Sequence, residues 1–217
     1  MFSFTASLVS SRRRLTLVGL FGGLALALLP AASAHATGLI NTAACDNATL
    51  TQPFLPWGDS NYYKLVPGGD FEGSLAGWTL SGGATRVSGG EQLDAMGSAG
   101  GSAIYLPAGG SIQSPFTCVD FAYPTLRFFA LNKSLLSTVA VSIVYREPLL
   151  GSLAVPLGVS ALSPQWAPSA PVLTLSEVQG VVSGLLTGSN PQVAVRFTAL
   201  TGSSEIDDVF IDPERFR

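Results

Sequence analysis

The feature that most constrains this 217-residue chain is a period of two in its apolar residues. In Thr138–Glu147, Val139, Val141, Ile143 and Tyr145 share one side, while Thr138, Ala140, Ser142, Val144 and Arg146 share the other. Gln192–Leu200 sets Val193, Val195, Phe197 and Ala199 against Gln192, Ala194, Arg196 and Thr198. Thr125–Asn132 sets Leu126, Phe128 and Ala130 against Arg127, Phe129 and Leu131. Such alternation belongs to strands of a sheet packed on one face and wetted on the other. Turn signals recur about every 8–15 residues after Trp78, the rhythm of a sandwich or barrel. Further strands are predicted at Gly77–Ser81, Ala84–Ser88, Ser102–Leu106, Ser111–Cys118, Leu150–Leu157, Pro171–Leu175 and Ser204–Asp212. Ser176–Leu186 fits either one short helix with Ser176 as its N-cap or another strand.

The first 34 residues read as an export signal. Arg12, Arg13 and Arg14 form a cationic start, Leu15–Leu29 is apolar, and Ala32-Ser33-Ala34 is a small-residue cleavage site. An apolar run of about 15 residues is short for a bilayer span, which needs about 20. Ser11-Arg12-Arg13 half-matches a twin-arginine signal, so the export route stays open. All fourteen acidic residues follow Ala34, whereas three of the eleven basic ones leave with the signal. The mature chain then carries eight cations against fourteen anions, a net charge of −6. An acidic chain with scattered cations lacks the electrostatic footprint of a nucleic-acid binder. No later run is apolar enough to span a membrane, and the expected product is secreted and extracellular.

The sole histidine, His35, lies at the cleavage site. The folded part therefore has no Ser-His-Asp or Cys-His centre and no His-ligated metal. In an exported chain the two cysteines, Cys45 and Cys118, are expected to form a disulfide. It closes a loop of about 73 residues and contributes about 4 kcal/mol on the chain-entropy model.

Residues 35–64 are expected to be an N-terminal arm, and 65–217 the folded domain. The arm has no strand or helix period but holds Phe54, Trp57, Tyr62 and Tyr63. Two readings are open: a segment wrapped over the domain, or a stacking platform in which Trp57, Tyr62 and Tyr63 face a sugar.

The segment Val66–Ser81 reads VPGGDFEGSLAGWTLS, with Phe71 and Trp78 as large apolar anchors and Gly68 and Gly69 freeing the turn. Near the far end stands Glu205–Asp212, EIDDVFID. Together, GGDFEGSLAGW and IDDVFID resemble carbohydrate-binding modules of families 4 and 9, over roughly Leu65–Asp212. The resemblance implies an all-β, galactose-binding-like jelly-roll β-sandwich with at most one short helix, and a protein that binds glycan without cleaving it. It also implies a structural calcium, with Glu72 and Asp208 as ligands and Asp207 and the Gly69 and Asp70 carbonyls in reserve; oxygen-only ligands suit that ion. The other reading leaves Asp207 and Asp208 as hydrogen-bonding groups at the barrel rim.

Family members hold glycans on a concave sheet face. If the three alternating strands are neighbours, Arg127, Arg146 and Arg196 would line such a face with Phe129. Guanidinium forks suit hydroxyl and carboxylate acceptors. Their bland alternative is a solvated face whose arginine stems cover apolar surface. Glycoside cleavage needs two carboxylates flanking a cleft. Glu91, Asp94, Glu147 and Glu177 lie in polar or turn-like stretches with no motif pairing them, so no enzyme is expected. A secreted structural or surface-interaction protein with this fold and no sugar site is the alternative.

Overall fold

A computed structural model describes residues 49–118, 125–147, 151–173 and 192–211. The leader, Cys45, the Cys118 side chain and Ser176–Leu186 lie outside the described residues. The expected disulfide and the helix-or-strand question lie there too.

Among the described residues fourteen strands follow one another: β1 (Leu50–Thr51), β2 (Tyr63–Leu65), β3 (Thr79–Ser81), β4 (Thr85–Ser88), β5 (Ser102–Leu106), β6 (Ser111–Gln113), β7 (Thr117–Cys118), β8 (Thr125–Asn132), β9 (Thr138–Glu147), β10 (Gly151–Ala161), β11 (Ala167–Pro168), β12 (Val172–Leu173), β13 (Gln192–Thr201) and β14 (Ser204–Ile211). Leu55–Trp57 is one turn of 3-10 helix. Among the described residues, no helix is long and apolar enough to cross a membrane.

All the pairings are antiparallel, and they form two sheets. Sheet A centres on β14, with β5 and then β2 along one side and β8 along the other. β4 extends it beyond β5, and β11 and β12 extend it beyond β8. Sheet B runs β10-β9-β13-β6-β3, with β7 continuing the line of β6 along β13. The chain switches sheet between β2 and β3, β3 and β4, β5 and β6, β7 and β8, β8 and β9, β10 and β11, β12 and β13, and β13 and β14. The β4–β5 and β9–β10 pairs stay within one sheet, as do the steps from β6 to β7 and from β11 to β12. This interleaving, with β5 beside β14 and β6 beside β13, is a jelly roll.

The inward sides of the strands form the core. Leu126, Phe128, Val139, Val141, Ile143, Val195, Phe197 and Ile206 are all buried there. Phe128 and Phe197 meet edge to face at 4.7 Å between the sheets. The Val66–Ser81 segment docks on this core as its sequence suggests. Gly68 takes φ +66, and a Cβ on Gly69 would sit 2.9 Å from the Val66 carbonyl and 3.0 Å from that of Val209. Phe71 and Trp78 then pack edge to face at 4.9 Å, and the Trp78 indole N–H donates to the Pro67 carbonyl. The two ends of the domain meet, since β2 pairs with β14 at Leu65–Phe210 and Lys64–Ile211.

β1 and β2 in the arm, and β11, are strands that the sequence pattern does not predict, and two predicted strands differ from those observed by more than two residues. Ser111–Cys118 divides into β6 and β7 because Pro115 cannot donate to the ladder. The Ser114 hydroxyl substitutes, accepting the Val195 N–H at 2.9 Å. The strand expected to stop at Leu157 continues to Ala161 as β10. Among the described residues it pairs within sheet B with β9 alone, an edge position that tolerates Pro156, and the register shift between Pro156 and Gly158 takes up the irregularity.

Candidate functional site

The structure separates the three arginines. Arg127 stands on β8 in sheet A, whereas Arg146 and Arg196 stand on β9 and β13 in sheet B. The single face expected to hold all three with Phe129 does not form, because a jelly roll sends β8 and β9 to opposite layers.

Arg127 and Phe129 do point away from the core, but the arm covers them. Phe54, Tyr63, Phe129 and Phe210 make a second buried cluster outside sheet A. Phe54 stacks on Phe129 at 5.4 Å, and Trp57 meets Phe129 edge to face at the same distance. Arg127 is 6% exposed. Its Nη1 donates to Asp59 Oδ2 at 2.6 Å, its Nε and Nη2 donate to the Ser169 carbonyl, and its guanidinium lies 4.1 Å from the centre of the Phe54 ring. Asp59 also accepts the Tyr63 hydroxyl and the Asn61 N–H. Burial alone would raise the Asp59 pKa, but the Tyr63, Asn61 and Arg127 hydrogen bonds bring it below the ordinary range. Burial likewise drives the Tyr63 phenol to about 12. Tyr63 is fully buried, so with Arg127 and Phe129 it leaves the list of surface sugar contacts. Tyr62 is half-buried, and Trp57, 38% exposed, has its ring against Phe129. Phe54, Trp57 and Tyr63 therefore fasten the arm to sheet A.

The outer side of sheet B is different. Arg196 sits opposite Ser142 on β9 and opposite Gln113 on β6. Gln113 Oε1 accepts its Nε at 3.0 Å and its Nη2 at 2.6 Å, which fixes the guanidinium. Thr198 and Ser111 form the next pair, and the Ser111 and Ser81 hydroxyls are 2.8 Å apart. Farther along β9, the exposed Arg146 guanidinium lies 4.3 Å from the centre of the Phe116 ring. Sequence reading missed Gln113 and Phe116; the period-two register of Ser111–Gln113 was the available signal for Gln113.

The acidic residues gather at the far side of sheet A. A register shift in β14 between Asp207 and Phe210, with Asp208 at φ 44, sets two neighbouring carboxyls into the fold. Asp207 accepts the Glu91 and Asp208 N–H groups. Glu91 is fully buried and accepts the Leu93 and Ala95 N–H groups. Glycine makes this possible: a Cβ on Gly90 or Gly100 would lie 2.5 or 2.8 Å from Asp207 Oδ2. Exposed Glu72 accepts the Gly101 and Ser102 N–H groups at 2.6 and 2.8 Å. Burial raises the Asp207 pKa to about 7, against its backbone hydrogen bonds and with help from Glu91 and Glu72. Burial raises Asp208 to about 8, reinforced by Asp207, Glu91 and Asp70.

The donors are all oxygen, which fits a calcium ion in chemistry. Among the described residues, however, no three acidic side chains converge as a ready-made metal cluster. Glu91 is the addition that the resemblance did not supply; the Gly89-Gly90 pair before it was its only mark in the sequence.

No protein-family profile and no curated protein matches the chain. Solved structures resemble it at low identity. The CBM22-1 xylan-binding domain from Paenibacillus barcinonensis Xyn10C is 12% identical, over 67% of this chain and 91% of that one, with a TM-score of 0.45. The CBM22-1–GH10 modules of Clostridium thermocellum endo-1,4-β-D-xylanase 10B, complexed with xylohexaose, are 14% identical over 67% of this chain, with a TM-score of 0.46. This chain spans 28% of the length of that xylanase chain. TmCBM61 in complex with β-1,4-galactotriose is 14% identical, over 69% of this chain and 98% of that one, with a TM-score of 0.41. At these scores the strand pairing, rather than the likeness, identifies the fold.

Proposed function

We propose that this chain is a secreted, non-catalytic carbohydrate-binding protein, affiliated with families 4 and 9 by its GGDFEGSLAGW and IDDVFID segments, that holds glycan on the outer face of sheet B. The observation that carries the reading is the lining of that face. Gln113, Arg196, Ser142, Thr198, Ser111 and Ser81 put amide, guanidinium and hydroxyl groups on neighbouring strands. Sugar hydroxyls both donate and accept, so such a surface matches them. Binding without cleavage fits the acid cluster: Asp207, Asp208 and Glu91 are buried at the opposite sheet, away from any sugar on this face. A glycan array probed with the purified exported protein tests the proposal. Retention of a defined glycan class supports it, and no retention on any glycan overturns it.

A structural calcium is proposed at the acid cluster, with Asp207, Asp208 and Glu91 as its carboxylates and Asp70 and Glu72 nearby. It would offset buried negative charge and serve stability rather than sugar chemistry.

One observation favours the surface-interaction alternative. Leu135 and Leu136, at the β8–β9 turn, are 94% and 77% exposed. Hydrogen bonds among Asn132, Ser134, Ser137 and Ser203 hold this turn in shape.

A further inference from the structure

From the distribution of cations we infer that the outer face of sheet B binds an acidic glycan, one whose sugars carry carboxylates. This inference rests on the glycan-binding reading above and narrows its ligand.

The described residues hold the cations Lys64, Arg86, Arg127, Lys133, Arg146 and Arg196. Four serve the fold. Arg127 is paired with Asp59 and Lys133 with Glu205. Lys64 donates to Thr117, and Arg86 donates to the Phe71 and Gly73 carbonyls. The remaining two, Arg146 and Arg196, both project from the outer face of sheet B, and neither pairs with a carboxylate among the described residues.

Each is nevertheless held in place. Arg196 is gripped by Gln113 through Nε and Nη2, which leaves its Nη1 edge for an acceptor. The Arg146 guanidinium lies over the Phe116 ring. A guanidinium orientated in advance loses less entropy on binding and presents a fork that matches a carboxylate. Arg196 lies opposite Ser142, and Arg146 is four residues farther along β9. At about 3.3 Å per residue the two stand about 13 Å apart along the strands. That spacing suits carboxylates repeated along a polymer better than a single small anion.

The sign of the rest of the protein agrees. Asp207, Asp208, Glu91 and Glu205 are carried by sheet A or packed against it. Arg146 and Arg196 thus occupy the layer opposite Asp207, Asp208, Glu91 and Glu205, and Glu147 at the end of β9 is the one acid on the described strands of sheet B. The ring that neutral glycans favour for stacking is not free here, since Phe116 is engaged by Arg146.

The test uses the purified exported protein and affinity electrophoresis with polygalacturonate, alginate and glucuronoxylan. Fully methyl-esterified polygalacturonate, neutral xylan and sulfated dextran are run beside them. The expected result is retardation by a uronate polymer that falls at least about tenfold on esterification and weakens with salt. Arg146→Gln and Arg196→Gln should each weaken it about tenfold, with Arg196→Lys intermediate because the charge stays and the fork goes. Equal retardation by charged and esterified polymer, insensitive to both variants, would overturn the acidic ligand and leave the glycan reading standing. Retardation by sulfated dextran alone would overturn the carboxylate assignment. No retardation by any polymer, neutral xylan included, would remove both.

Discussion

Replacing Asp59 by alanine should destabilise the protein by about 3 kcal/mol, far more than loss of a surface ion pair. The Asp59 carboxylate accepts Arg127 Nη1 at 2.6 Å, the Tyr63 hydroxyl at 2.7 Å and the Asn61 N–H at 3.0 Å. Without it, the guanidinium stays beneath the arm at 6% exposure with an uncompensated charge. Breaking a buried pair from one side costs about 3–5 kcal/mol. The lower end applies, because the Ser169 carbonyl and the Phe54 ring still hold Arg127 and the Asp59 side chain is 14% exposed. Arg127→Met leaves the more accessible partner and should cost less. The double variant should therefore be more stable than Asp59→Ala alone. Urea unfolding followed by tryptophan fluorescence measures all three, with Trp57 against Phe129 reporting on the arm. The sign with pH follows from the same contacts. The folded-state pKa of Asp59 is depressed, so its contribution is present above the ordinary carboxylate pKa and is lost as pH falls through the folded value. A cost under about 1 kcal/mol for Asp59→Ala, or strict additivity in the cycle, would refute the buried clamp.

Three further outcomes follow from the same structure. Gly90→Ala should destabilise by about 1–3 kcal/mol in denaturant unfolding, since its Cβ would meet Asp207 Oδ2 at 2.5 Å and the Ser102 carbonyl at 2.6 Å; a neutral result would mean the acid cluster is loosely packed. With chelator present, the melting temperature should fall as pH rises from 5 to 8. Asp207 and Asp208 have folded pKa values raised to about 7 and 8, so their contribution is fully present below the ordinary carboxylate pKa and is lost as pH rises through those values. Calcium should restore the melting temperature at pH 8 by mass action, and no change with calcium would count against the ion. Leu135→Ser and Leu136→Ser should shift unfolding by less than about 0.5 kcal/mol, because both side chains are exposed.

How far the sequence could be read depended on what each signal encodes. Period two records which face of a strand is buried, so the inward residues of Thr125–Asn132, Thr138–Glu147 and Gln192–Leu200 are those found in the core. Periodicity does not record which strands share a layer. Periodicity alone groups Arg127 with Arg146 and Arg196, although a sheet crossing between β8 and β9 parts them. The same limit hid the role of Phe129, whose outward side is dry only because the arm lies on it. Asp207 and Asp208 were legible through EIDDVFID, whereas Glu91 reaches them from 116 residues away in sequence through a backbone bond. Gln113 was hidden because its partner Arg196 is set by the β6–β13 register, a property of the assembled sheet.

The claim on which the account most depends is that sugar meets sheet B rather than the arm. Backbone amide shift mapping of the isotopically labelled protein during titration with a retained glycan measures this directly. The account predicts perturbed amides concentrated at Ser111–Gln113, Ser142, Arg146, Arg196 and Thr198, with those of Trp57, Tyr62 and Tyr63 unmoved. Perturbations centred on Trp57 and Tyr62 instead, with sheet B silent, would contradict it.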